Sequence, residues 1–366
     1  MTFHRYEAIV ETDKQSKEDV RPGKVKMEKE INVAFIGCGG ICGPHLRSMK
    51  RIEGVKVKVF CDPDTARART RAGEYGIGEP ETETDYKAVL KREDIDSVHI
   101  LTPHHMHVPM IREALAAGKH VICEKPLAIV KKDARDLMEE TEGMPLGLVF
   151  QNRYNPATKE ALRIIRSGEM GRIIGMKADV CWNRGKAYYD SDRWRGLWEE
   201  SGGGSLINQA IHTIDLMHYL GGPFASVKGS ITRDINAEFA QVEDNSHAVF
   251  KFQNGMIGLI HTSNDFVDDF PTLLFIKMEK GMLELRGNSL WRMDGDRMEV
   301  LVKAQAVDNG GKAVYGNSHE AMLRDFYDSM RKKQHFWLDA KEAYPAIWAV
   351  LSIYESSLTG RWVDFS

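Results

Sequence analysis

Val33-Ala-Phe-Ile-Gly37-Cys-Gly39-Gly40-Ile41-Cys42 decides the fold, because an apolar run ends in a glycine-rich turn and a helical pattern follows at once. A turn between a strand and a helix lets the backbone approach a pyrophosphate at the positive end of the helix. Gly37 permits the tight turn, Gly39 and Gly40 keep the approach open beside Ile41, and Cys42 takes the place of the third glycine of the G-x-G-x-x-G pattern. A glycine-lined corner that binds nothing would look the same, so the surroundings have to decide.

From residue 31 to about 150, short Val/Ile-rich runs alternate with helical patterns, the arrangement of parallel βαβ units. Strands are expected over 31–36, 55–61, 97–101, 120–123 and 146–150, and helices near 41–51, 65–75, 106–117 and 131–142. After Asn155-Pro156 the pattern changes to one helix and then long strands broken by turns such as Gln253-Asn-Gly-Met256, an Asn-Gly hairpin signal. Helices over 318–333 and 340–359 close the chain. The expectation is an α/β protein: a polar extension over 1–29, a dinucleotide-binding domain of parallel βαβ units over 30–150, and a second domain with a largely antiparallel sheet over 151–366.

Composition narrows the class. The chain has 366 residues, 42% hydrophobic and 28% charged, the balance of a globular protein long enough for two cores. Fifty basic residues against 53 acidic ones give a formal net charge of -3 with no long block of one sign, which argues against nucleic acid as a partner. No stretch reaches the ~18–20 apolar residues that span a bilayer, and the first thirty residues lack the apolar run of a secretory signal. Five cysteines, an odd number, read as reduced thiols, and a cytoplasmic location follows.

The carboxyl edge of the first sheet collects the candidate residues. Asp62 ends the second strand, where a carboxylate can accept from a ribose 2′-hydroxyl and repel a 2′-phosphate, so NAD is preferred to NADP. The next strand runs into Thr102-Pro103-His104-His105-Met-His107; its histidines lack a complete ligand set, and no metal is expected. Thr102, Pro103 and His104 are expected beside the nicotinamide ribose, and His107, in the first turn of the following helix, is a further candidate cofactor contact. Glu124-Lys125-Pro126 closes another strand, and a partly desolvated Lys125 beside a nicotinamide has reason to lower its pKa and to bond a reacting oxygen.

The second constellation is Gly202-Gly-Gly204-Ser205-Leu-Ile-Asn208-Gln-Ala-Ile-His212-Thr-Ile-Asp215-Leu-Met-His-Tyr219. At helical spacing Asn208, His212, Asp215 and Tyr219 share one stripe of an otherwise apolar, buried helix. Buried polar groups need partners. A core histidine held by Asp215 is the bland reading of His212, and a substrate contact is the favoured one.

In this order the glycine turn, the Glu-Lys-Pro triplet and the Gly-Gly-Gly…His-x-x-Asp segment resemble the glucose-fructose oxidoreductase/inositol dehydrogenase (Gfo/Idh/MocA) family. Further support comes from Gln151-Asn-Arg-Tyr-Asn-Pro156, Asp192-Arg-Trp194-Arg195-Gly196 and Leu358-Thr-Gly-Arg-Trp-Val363. The resemblance implies a Rossmann domain followed by an α/β domain with a large open, mainly antiparallel sheet, in an NAD-dependent oxidoreductase acting on a secondary hydroxyl of a sugar, glycoside, nucleotide sugar or cyclitol and assembled as a dimer or tetramer. It implies Lys125 and His212 at the reacting hydroxyl, with Glu124 and Gln151 on the cofactor side. Inositol dehydrogenase-like members carry Asp where this chain has Asn208, which orients a hydroxyl but cannot take its proton, leaving His212 as the expected base. Arg153, Tyr154, Asn183, Trp194 and Arg195 are candidate substrate contacts. Alternatives within the family are a redox-neutral glycosidase or transhydrogenase with tightly held NAD, and a non-catalytic NAD-binding regulator.

Overall fold

A computed structural model describes residues 30–74, 81–304 and 318–365, so the polar extension expected over 1–29 lies outside the described residues. Strands β1 (Ile31–Ile36), β2 (Val55–Cys61), β3 (Glu81–Glu83), β4 (Ser97–Ile100), β5 (His120–Cys123) and β6 (Leu146–Leu148) form a parallel sheet of order β3-β2-β1-β4-β5-β6. Residues of β1 and β4 are nearly all buried, as expected where helices cover both faces. The strand order reverses between β1 and β4, and a crevice opens at their carboxyl ends.

Two elements escaped the sequence reading. The edge strand β3 is only Glu-Thr-Glu and has no apolar alternation, and the helix Tyr86–Leu90 is five residues long, with the Asp85 side chain capping Lys87 N–H at 2.9 Å. The helix expected from Met106 starts at His107 instead, after a 3-10 turn over His104–Met106.

The second sheet has nine strands: β7 (Ile173–Cys181), β8 (Phe224–Thr232), β9 (Asn245–Phe252), β10 (Ile257–Ser263), β11 (Leu273–Met278), β12 (Gly281–Arg286), β13 (Ser289–Asp294), β14 (Arg297–Val302) and β15 (Val363–Asp364). Their order is β14-β13-β12-β11-β7-β10-β9-β8-β15, antiparallel except for β7 with β10. Gly255, at φ +84°, makes the expected turn between β9 and β10. Ile211–Gly221 and the largely apolar Ala340–Thr359 pack together, and the latter lies on β8. One apolar core runs through both sheets. No helix among the described residues is long and apolar enough to cross a membrane.

Candidate active site

A cavity of about 530 Å³ opens at the carboxyl ends of β1, β2, β4 and β5, walled on its far side by residues after β7 and by the segment 208–213. Gly37 sits at φ +99°, and a Cβ there would lie 2.6 Å from the Leu101 carbonyl oxygen, so the turn requires glycine. At Gly39 and Gly40 an added Cβ would meet no protein atom within 4 Å, which leaves the space before them open to a ligand. Asp62 lines the same end; its Oδ2 accepts from Cys38 N–H and its Oδ1 from Asp64 N–H, both at 2.9 Å. Arg67 stands 4.0 Å from that carboxylate.

At the other end the Lys125 ammonium donates to the Asn208 carbonyl at 2.8 Å and lies 3.3 Å from its Oδ1. Asn208 Nδ2 and Gln209 Nε2 both donate to the Tyr188 hydroxyl, at 2.9 and 3.1 Å. His212 meets Phe150 edge-on, ring centroids 5.6 Å apart. Among the described residues the buried atoms Gln151 Oε1, Asn152 Oδ1 and His212 Nδ1 find no hydrogen-bond partner, and all three residues line this cavity. An unpartnered buried polar atom costs about 1–3 kcal/mol, so the pocket is built for a polar guest, and the open glycine turn suits a dinucleotide.

Burial pulls Lys125 down to about 8, with Arg195 adding to the effect and the Glu124 carboxylate opposing it. Burial, then the nearby Lys125 charge, pulls His212 down to about 3 and takes His104 well below the ordinary histidine range. Both imidazoles are therefore neutral at ordinary pH.

The chain reaches this arrangement through local strain. Ser205–Ala210 is a π turn leading into the helix Ile211–Gly221, a distortion that often marks functional sites. Buried Glu243 fastens the turn: its carboxylate accepts from Gly204 N–H at 2.7 Å, Leu206 N–H at 2.9 Å and the Tyr354 hydroxyl at 3.0 Å. A Cβ at Gly204 would lie 2.0 Å from the Glu243 carbonyl oxygen, and one at Gly203 would lie 2.0 Å from the Tyr354 hydroxyl.

Of the residues singled out in the sequence, Ile41, Thr102, Pro103, His104, Glu124, Gln151, Trp194 and Arg195 also line the cavity. His104 Nδ1 donates to the Ser201 carbonyl at 2.7 Å and its ring abuts Trp194. Four expectations need correction. His107 is fully buried, its ring nitrogens 2.7 Å from the Pro126 carbonyl oxygen and 3.0 Å from that of Thr102, so it braces the loop behind the pocket and does not line the cavity. Arg153 turns into the core, where it forms a two-pronged pair with Asp215 at 2.7 and 2.9 Å and meets Glu342 at 2.8 Å. Tyr154 donates to Asp325 at 2.6 Å and accepts from Trp337. Asn183 bonds the Phe266 carbonyl at 2.7 Å, outside the cavity.

The polar stripe consequently divides. Asn208 and His212 reach the cavity, whereas Asp215 binds Arg153 and Tyr219 lies against the same guanidinium. The pairing of His212 with Asp215 is thus replaced by Arg153 with Asp215. Trp182, Arg184, Tyr188 and Gln209 also line the cavity and were missed. Alternation along β7 and beyond could have found the first two, since Trp182 and Arg184 flank Asn183 and residues one apart point to opposite faces.

Residues 31–147 match the model described as an oxidoreductase family with an NAD-binding Rossmann fold, and residues 158–284 match the GFO/IDH/MocA C-terminal domain. These matches define the class: the chain belongs to the Gfo/Idh/MocA family of NAD-binding oxidoreductases. It is 28% identical to the oxidoreductase YrbE of Bacillus subtilis (strain 168), over 70% of this chain and 73% of that one. It is 27% identical to D-apiose dehydrogenase of Paraburkholderia graminis, over 74% and 72%. A glycosyl hydrolase family 109 protein of Shewanella sp. (strain W3-18-1) is 28% identical over 48% of this chain and 41% of its own. Levoglucosan dehydrogenase, solved in complex with NADH and levoglucosan, shares the fold with a TM-score of 0.81 at 21% identity, over 91% of this chain and 99% of that one.

Proposed function

We propose that the protein is an NAD-dependent dehydrogenase that exchanges a hydride with a secondary hydroxyl of a sugar, glycoside, nucleotide sugar or cyclitol. The observation that carries this reading is the meeting of Lys125 with Asn208 in a buried corner shared with the unpartnered imidazole atom of His212. Relatives named as sugar dehydrogenases support the substrate class.

Gly37, Gly39, Gly40 and Ile41 would hold the pyrophosphate, Asp62 the adenosine ribose, and Thr102, Pro103, His104, Glu124 and Gln151 the nicotinamide half. The Asp62 anion disfavours a 2′-phosphate, which is the ground for NAD over NADP. Bound nicotinamide supplies the atom that takes or gives the hydride. A hydroxyl placed between Lys125 and His212 would donate its one hydrogen bond to the neutral Lys125 amine and accept one from the ring N–H of neutral His212. With His212 held near 3 and Lys125 near 8, the group matched to neutral and mildly basic solution is the lysine. We therefore assign proton transfer to Lys125, in place of the His212 base expected from the sequence, and orientation to His212. Asn208 holds the lysine in line. Trp182, Tyr188 and Trp194 offer aromatic faces for a sugar ring, and Arg184 and Arg195 offer donors for its hydroxyls.

A redox-neutral glycosidase is the second reading, favoured by the similarity to family 109 glycosyl hydrolases. Net NADH separates them. Incubation with NAD and a panel of sugars, glycosides and cyclitols should accumulate NADH with at least one member; release of a leaving group with no NADH would favour the glycosidase. The same reading includes a cytosolic location, which suits five cysteines free of disulfides, and a homo-oligomer joined through the open sheet.

A further inference from the structure

Behind Glu124, away from the proposed reacting hydroxyl, lies a run of buried polar side chains that the mechanism does not use. Glu124 Oε1 is 3.0 Å from His45 Nε2, His45 Nδ1 is 2.9 Å from His99 Nδ1, and His99 Nε2 is 2.7 Å from the Tyr327 hydroxyl. His45, His99 and Tyr327 are fully buried. With one proton on each imidazole, the donor order is unique. An ionised carboxylate only accepts, so His45 Nε2 donates to it; His45 Nδ1 then accepts from His99 Nδ1, and His99 Nε2 accepts from the Tyr327 hydroxyl. Every member is satisfied, which is the condition for a buried polar network to be favourable.

We propose that Tyr327, His99 and His45 form a one-way chain of hydrogen bonds that holds the Glu124 carboxylate as an oriented anion beside Lys125. These three are positioning residues: they touch neither substrate nor cofactor and act through Glu124. Its importance for turnover rests on the role given above to Lys125; its physical content does not. Burial alone would raise Glu124, yet the hydrogen bond that His45 donates leads the effects that bring it down to about 2. Lys125 and His319, whose Nε2 is 4.0 Å away, also act on the carboxylate, and His107, His212 and Cys123 feel its charge. Lys125 also feels Arg195 and, across the pocket, His104 and His212. His45, Glu124 and His319 lie close enough to share a cation, with ligand atoms within 4.8 Å of one another; the hydrogen-bond order accounts for His45 and Glu124 without one.

The test is the pH dependence of acetylation of Lys125 by acetic anhydride, read by mass spectrometry on the full-length protein without substrate. Glu124→Gln is expected to lower the labelling midpoint of Lys125 by about one pH unit, since an adjacent anion favours the ammonium. His45→Leu should lower it similarly, and the double variant no further. His45→Gln, which keeps an N–H near the place of Nε2, should restore most of the wild-type midpoint. If His45→Leu fails to fold by its melting curve, Tyr327→Phe should give a smaller shift in the same direction. A midpoint unmoved in both His45→Leu and Tyr327→Phe but moved in Glu124→Gln would overturn the chain, as would stoichiometric zinc bound natively and lost in His319→Ala. Shifts as expected in a protein that oxidises no sugar would sink the proposed function and leave the chain standing.

Discussion

Lys125 owes its character to two opposing surroundings. Loss of water disfavours its charge, the Glu124 anion restores part of that loss, and the balance rests near 8. On the proposed role the neutral amine takes the proton in oxidation, so kcat should rise with pH through about 8 and level off, while the reverse reaction, which needs the ammonium, should fall over the same range. Lys125→Met should lower kcat by about 10²- to 10⁴-fold, the usual worth of acid-base help, with NAD affinity little changed by titration calorimetry. His212→Ala should lower kcat less and raise KM, because an orienting hydrogen bond is lost. A pH-independent rate would contradict the lysine assignment. Lys125, Asn208 and His212 were legible from the sequence because each follows a strand end or a glycine run. Arg153 and Tyr154 were misread because a four-residue 3-10 turn, Gln151–Tyr154, sends Gln151 and Asn152 to the cavity and the next two side chains inward.

At the scale of elements, the π turn over Ser205–Ala210 and its anchor Glu243 set where Asn208 sits. Three donors converge on that carboxylate, so Glu243→Ala should cost about 1–3 kcal/mol by denaturant unfolding. Gly204→Ala should be at least as damaging, since its Cβ would collide with backbone. Burial raises Glu243 to about 7, above its ordinary 4.5, so the folded state holds this proton more tightly than the unfolded chain. Its contribution to stability accordingly falls as pH rises from about 4.5 to about 7. Melting temperatures of wild type and Glu243→Gln across that range check the sign: the wild type should lose more. Sequence periodicity located this helix but treated it as regular throughout, and a π turn is invisible to a pattern that assumes 100° per residue.

Across the whole molecule, the first sheet positions the glycine turn, Asp62 and Lys125, and the segments around the second complete the cavity. Both sheets were legible, one from βαβ alternation and the other from hairpin signals; the short acidic strand β3 carried no pattern to read. Along β10, Ile257 and Leu259 are 44% exposed while Gly258 and Ile260 are buried, leaving an apolar stripe on the open face. If copies associate through this face, Ile257→Asp combined with Leu259→Asp should reduce the mass measured by light scattering; an unchanged mass would place the contact elsewhere.

The central claim is that Lys125 and His212 act on one hydroxyl beside the nicotinamide. Its most direct test is absorbance at 340 nm when wild-type and Lys125→Met proteins, each saturated with NAD, are mixed with the carbohydrate panel. NADH should form in the wild type with at least one carbohydrate and at least a hundredfold more slowly in the variant. Equal rates in the two proteins, or no hydride transfer to NAD with any member, would contradict that claim.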